Sequence, residues 1–294
     1  MVARWHGRRH SWTAPVTAAA VGASLLLGTG CSENGTAAAS DKPGPREAVR
    51  SVAETLKRYG TSRTRTSMTM ESGGTRIAVD GKGSFDYRKR RGQLIVRLPE
   101  GTSGARPGER RPVTEIVVPR ALYMKNRGAG VPDGKWVRVD TTGLSDGNLV
   151  TAGATDPVSA AELLRGAREV TYAGRRDVGG ERVRRYRGTV DLASAARAAS
   201  PNWREQLAAA AEGFSGGSVP FDADIDGQGR LRKIRHQFTF AGGTRSGRAA
   251  EEPGAAGDAG VTVSSTTWLY GFGTPVKVVM PEPDDIYSGK IAPF

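Results

Sequence analysis

From Thr61 onward the chain alternates between apolar or small side chains and polar ones with a period of two. In "TRTSMTM", Thr64, Thr66, Met68 and Met70 fall on one face, and Arg65, Ser67 and Thr69 on the other. After Gly73-Gly74 the pattern repeats. Ile77, Val79, Phe85 and Tyr87 point one way, while Arg76, Asp80, Lys82 and Asp86 point the other. "RKRRG" then makes a turn, and "QLIVRL" returns with Leu94, Val96 and Leu98. Such runs, joined by glycine and charge clusters, predict an antiparallel meander with one greasy and one wet face. Further short strands are expected in "VTEIVV", "ALYMK" and "KWVRVD". Hairpins follow about Gly179-Gly180 and about "DGQG", a long strand in "VTVSSTTWLYGFG", and a short closing strand in "PVKVVMPEPDDI".

Three stretches keep a helical period instead. "PREAVRSVAETLKRYG" places Val49, Val52, Ala53 and Leu56 on one side and stops at Gly60. "DPVSAAELLRGA" starts at Asp156 as N-cap with Pro157 at the first position, and "SPNWREQLAAAAEG" has the same kind of start. Serial hairpins exclude an all-parallel α/β fold. The expected fold class is α+β: one strongly curved antiparallel sheet of about ten or eleven strands, its apolar face covered by helices.

The N-terminus follows neither period. "MVARWHGRRHSWT" carries Arg4, Arg8 and Arg9 and no acid, and "APVTAAAVGASLLLG" is uncharged. A basic segment before a short apolar one reads as an export signal rather than a membrane span. It ends in Leu27-Gly28-Thr29-Gly30-Cys31, which resembles the lipobox of bacterial lipoproteins, with Gly28 where an aliphatic residue is usual. The resemblance implies that Cys31 receives a diacylglyceryl group and, after cleavage, anchors the protein to a membrane on its extracytoplasmic side. Arg8-Arg9 leaves a twin-arginine route open. The expected organisation is a signal peptide over 1–30, a flexible tether over 31–44 and a binding domain over 45–294, with 241–260 a mobile loop inside it.

Composition sharpens this. Cys31 is the sole cysteine, so acylation would leave a mature chain without thiols, disulfides or cysteine-ligated metals. Net charge is +13, three of those charges being the signal arginines. In an exported, anchored protein that excess points to anionic headgroups or wall polymers rather than nucleic acid, and codon bias acting on solvated faces accounts for it equally well. The abundance of arginine, alanine and glycine fits a GC-rich genome of the actinobacterial kind.

Catalytic chemistry finds little material. "GFSGG" matches a hydrolase elbow at Ser215, followed by Asp222, Asp224, Asp226 and His236 in hydrolase order. The mechanism needs a strand before the serine and a helix after it, and the pattern predicts the reverse. His236 lies in phase with Ile234, Phe238 and Phe240 and reads as a sheet-face histidine. "DADIDGQG" is a hairpin turn sooner than a calcium loop, since no acid stands at the twelfth position. No metal, cofactor or catalytic residue is expected.

Taken with the lipobox, the tether, the first helix and meander, the segments "GKWVRVD" (134–140), "GERVRRYRGTVDL" (180–192) and "YGFGTPVKVVMPEPDDI" (270–286) resemble the mycobacterial LppX/LprG lipoprotein family, of LolA-like fold. The resemblance spans roughly 45–287. It implies a half-barrel that holds a lipid, lipoglycan or other amphiphile and serves lipid transport in the cell envelope. Val52, Leu56, Met68, Met70, Ile77, Val79, Phe85, Leu94, Val96, Ile234 and Phe238 are the candidates to line an apolar cavity, with Thr66, Gly81 and Gly83 leaving room; a plain core with methionine as filler accounts for the same residues equally well. Arg88, Lys89, Arg90 and Arg91 are the candidates to meet an anionic head. The alternative is a sensor or interaction lipoprotein that contacts a membrane-bound regulator, as anti-sigma-factor regulators of this fold do.

Overall fold

β-branched, aromatic and alternating segments satisfy their backbone groups by pairing with neighbouring strands, and where the turn is two to four residues long the partner is the next strand in the chain. A computed structural model describes residues 43–72, 74–97, 112–128, 130–150, 156–214, 216–240 and 261–289. The strands are β1 (Thr61–Ser72), β2 (Thr75–Asp86), β3 (Arg91–Arg97), β4 (Val113–Val118), β5 (Ala121–Lys125), β6 (Trp136–Asp140), β7 (Ala167–Val178), β8 (Glu181–Asp191), β9 (Ser218–Asp226), β10 (Leu231–Phe240) and β11 (Val261–Tyr270). All eleven form one antiparallel sheet in the order β6-β5-β4-β3-β2-β1-β11-β10-β9-β8-β7. Two meanders therefore meet at a seam where the first strand pairs the last, with Met68 opposite Ser265.

The helices are α1 (Pro45–Arg50), α2 (Val52–Tyr59), α3 (Pro157–Leu163), α4 (Leu192–Ala198) and α5 (Pro201–Gly213). Helical hydrogen bonds run through Ser51, from its N–H to Glu47 and from the Thr55 N–H to Ser51. The first two segments thus form the single helix that periodicity predicts, loosened where the Ser51 hydroxyl donates to the Ala48 carbonyl (3.1 Å). Asp156 caps α3, its carboxylate accepting from the N–H groups of Val158 (2.9 Å) and Ser159 (3.0 Å). α4 is an element the apolar period does not predict. Its alanines carry no strong hydrophobic signal, and Asp191 sets its start by accepting from the Ser194 N–H (2.7 Å). Residues 274–282 join no ladder, correcting the short closing strand expected there. The chain instead makes one parallel bridge, Trp136 to Ile286.

Curvature follows from what the helices touch. Laid flat, eleven strands would hold their edges roughly 48 Å apart. Yet α1 packs on edge strand β7, and α1 and α4 both touch the 3-10 turn Leu164–Gly166. α4 packs on α5, and α5 reaches the turn Thr141–Gly143 that follows the other edge, β6. One helical layer thus meets both edges, so the sheet bows around it. The side chains between form a single buried cluster, with Leu56, Met68, Phe85 and Phe238 at its heart. Each such side chain contributes about 1.5–3 kcal/mol by leaving water. No helix among the described residues is long and apolar enough to cross a membrane.

Candidate functional site

The cavity candidates on the strands lie on the helix-covered face of the sheet, and Val52 and Leu56 meet them from α2. Val52, Leu56, Met68, Val79, Phe85, Leu94, Val96, Ile234 and Phe238 are 3% exposed or less and pack on one another, and Met70 and Ile77 border them half-buried. Val52, Met68, Leu94, Val96 and Phe238, which have no accessible surface, adjoin no space wide enough for a water molecule. Nor do the glycines leave room. A methyl on Gly81 would stand 2.6 Å from the Thr66 hydroxyl, and one on Gly83 would collide with the Gln93 carbonyl. Neighbouring strands and side chains have moved into the space that small residues vacated. Such contacts favour the plain-core reading of Thr66, Gly81 and Gly83 over that of room for a ligand.

Among the described residues, two open spaces lie at the rim. A cleft of about 450 Å³ runs between α2, α3, the start of α5 and the β2–β3 turn. Its floor is Ala53, Leu56, Tyr87, Ala161 and Trp203, continuous with the core. Its β2–β3 side carries Arg88 and Arg90, and α2 adds Lys57. Of the four headgroup candidates, Arg88 and Arg90 reach the cleft, while Lys89 and Arg91 do not line it. The turn is built by Asp86, whose carboxylate accepts from the backbone N–H of Arg88 (3.0 Å) and Lys89 (2.8 Å). The guanidinium of Arg88 also donates to the Arg58 carbonyl at the end of α2 (2.8 Å). Tyr87 is buried beneath, its hydroxyl 2.6 Å from that of Ser62, and burial pushes its phenol well above the ordinary range.

The opposite wall is neutralised internally. Arg165 bridges Glu54 (2.6 Å) and Glu162 (2.7 Å), and Glu162 also accepts from the Ser200 N–H (2.9 Å) and hydroxyl (2.7 Å). The hydrogen bond from Arg165 holds the Glu54 carboxyl below its usual range. With both acids committed, the uncommitted charge of the cleft is positive and lies on the turn side. Beyond Glu54 and Arg165 a shallower groove of about 730 Å³ continues along Gly44–Ser51 toward Val170. An apolar floor with a cationic lip suits the tail and head of an anionic amphiphile.

The hydrolase constellation does not assemble. His236 stands opposite Phe221 and Ser265 on the covered face, 1% exposed, and burial pushes its imidazole down to about 3. Asp222 and Asp224 belong to the other face, ion-paired with Arg185 and Arg176. Asp226 folds the "DGQG" turn, accepting from the N–H groups of Gln228 (2.9 Å) and Arg230 (3.0 Å). Ser215 lies outside the described residues, as do Cys31 and 241–260. No group of three His, Cys, Asp or Glu among the described residues is placed to hold a metal.

Sequence reasoning passed over Glu115. On β4 it stands opposite Leu94 and Met124, fully buried on the covered face, with neither carboxylate oxygen hydrogen-bonded. Burial pushes its carboxyl up to about 8, opposed by the charge of Arg127. The signal was present in "VTEIVV", where alternation puts Glu115 in phase with Val113 and Val117.

Fold and cleft together define a class: an α+β domain with one open antiparallel sheet, one face covered by helices, and a cation-lipped cleft where helices meet a strand turn. No family model matches the chain, and no curated protein matches it in sequence. Among solved structures it is similar to LprF from Mycobacterium bovis, at 12% identity over 82% of this chain and 98% of that one, with a TM-score of 0.41. It is also similar to the lipoprotein LppX from Mycobacterium tuberculosis (13%, 80% and 97%, TM-score 0.42). A third likeness is to a LolA superfamily protein from Nitrosomonas europaea (10%, 84% and 99%, TM-score 0.28). At these identities no functional residue carries over from one chain to the other.

Proposed function

We propose that this protein is a non-enzymatic lipoprotein of the cell envelope, held on the extracytoplasmic face of a membrane through acylated Cys31. It takes the tail of a lipid, lipoglycan or related amphiphile through the cleft above Leu56, Tyr87 and Trp203, while Arg88 and Arg90 meet the anionic head. The observation that supports this is the cleft itself. Its 450 Å³ lies within the range of small-molecule sites, and its apolar floor is continuous with the core. Deeper entry would part α2 and α3 from the sheet and bring Met68, Val79 and Phe238 into contact with the tail. The test is organic extraction and mass spectrometry of the full-length protein purified from its own membrane. An anionic amphiphile is expected, with occupancy at least tenfold lower in Arg88→Gln/Arg90→Gln, since each charge-assisted hydrogen bond contributes about 1.5–3 kcal/mol. Lipid at background level, unchanged by the substitutions, overturns the reading.

The closed packing of the core favours a second reading, an interaction lipoprotein whose target is a membrane-bound regulator. A lipid-free preparation that cross-links in the membrane to one regulatory protein would establish it.

A further inference from the structure

The face of the sheet turned away from the helices carries an ordered row. The register places Ile95 opposite Lys82, Lys82 opposite Arg65, Arg65 opposite Trp268 and Trp268 opposite Lys233. Two apolar and three cationic side chains thus share one row across five adjacent strands, a span of roughly 19 Å, which ends where Lys233 stands opposite Asp224, itself ion-paired with Arg176. Trp268 lies between two cations, the Arg65 guanidinium 5.6 Å and the Lys233 ammonium 5.2 Å from its ring centroid. Arg63 and Tyr270 extend the patch by one register step. Ile95 and Tyr270 are 46% and 42% exposed, among the few large apolar side chains left in solvent. The row is centred on β1, the sixth of eleven strands, and so sits on the crest of the bowed sheet. A plane brought up to this face touches the crest first.

We propose that this crest docks the domain on the surface of an anionic phospholipid bilayer, with Arg65, Lys82 and Lys233 at the phosphates and Trp268, Tyr270 and Ile95 at the boundary between headgroups and acyl chains. This mixture selects the partner. A soluble polyanion satisfies the cations and leaves the apolar side chains unused, whereas a bilayer interface accepts both, and aromatic rings settle at that depth. The surface is separate from the cleft, which opens on the helix side, and the inference stands whether or not the cleft binds cargo.

Lys42–Phe294 is one compact unit that contains every described strand and helix, so this piece carries its own fold and can be tested without anchor or signal. Its binding to phosphatidylcholine vesicles containing phosphatidylglycerol is compared with binding to pure phosphatidylcholine. Preference for the anionic vesicles is expected, weakening as salt rises. Arg65→Gln/Lys82→Gln should weaken it about 25-fold, some fivefold per cation. The equal charge change Arg197→Gln/Arg204→Gln, on the helices, should leave it nearly unchanged. Quenching of tryptophan fluorescence by brominated lipid should fall in Trp268→Phe. Equal binding to both vesicle types, equal loss from both double variants, or binding to soluble polyphosphate but not to anionic vesicles overturns the proposal.

Discussion

Glu115→Gln tests whether the covered face is as dry as its packing implies. The Glu115 carboxyl titrates near 8 in the folded protein against an ordinary 4.5, because burial disfavours its charge more than Arg127 restores it. A folded value above the unfolded one means that the protein keeps a proton the unfolded chain releases. The associated stability is fully present below pH 4.5 and is lost as pH rises toward 8, a total on the order of 5 kcal/mol. His236 acts in the opposite sense. Its imidazole titrates near 3 when folded against 6.5 ordinarily, so stability is full above 6.5 and falls as pH drops toward 3. The two slopes oppose each other between 4.5 and 6.5. Stability should therefore form a plateau there and decline on both sides. Urea midpoints of the Lys42–Phe294 piece across pH 3–9 would measure this. Glu115→Gln should remove most of the alkaline decline. The acid limb should stay, since His236 and the lowered carboxyls of Asp222 and Glu54 are untouched. Identical alkaline slopes in wild type and variant would refute the dry-face argument, because a carboxyl reached by water would titrate normally.

Two further substitutions probe the same packing. Gly83→Ala should destabilise by about 1–3 kcal/mol in urea unfolding, as overpacked sites do, because the new methyl meets the Gln93 carbonyl; no loss would mean that room exists beside it after all. Asp156→Ala should cost about 1 kcal/mol by releasing two N–H groups at the start of α3, and a change within error would show that the cap is idle.

Local chemistry settled much of this protein. Period-two alternation marks β1 to β3 and assigns Met68, Val79, Phe85, Leu94 and Val96 to one face, because the pleat fixes side-chain direction residue by residue. Asp156-Pro157 and Ser200-Pro201 mark helix starts for reasons equally local, although Ser200 serves Glu162 and makes no cap of its own. α4 escaped because alanine favours helix without declaring a buried side.

Other features are properties of several strands at once. Sequence distance says nothing of the seam that sets Met68 against Ser265, nor that His236 and Asp222, fourteen positions apart, end on opposite faces of the sheet. Whether small residues leave a hollow or are closed upon is decided by volume filling among many neighbours, and here they are closed upon. The cleft by Arg88 and Arg90 depends on where the helices land on the sheet, and the row through Trp268 on the register of five strands. Periodicity fixes where each side chain points, and only assembled packing fixes what it meets.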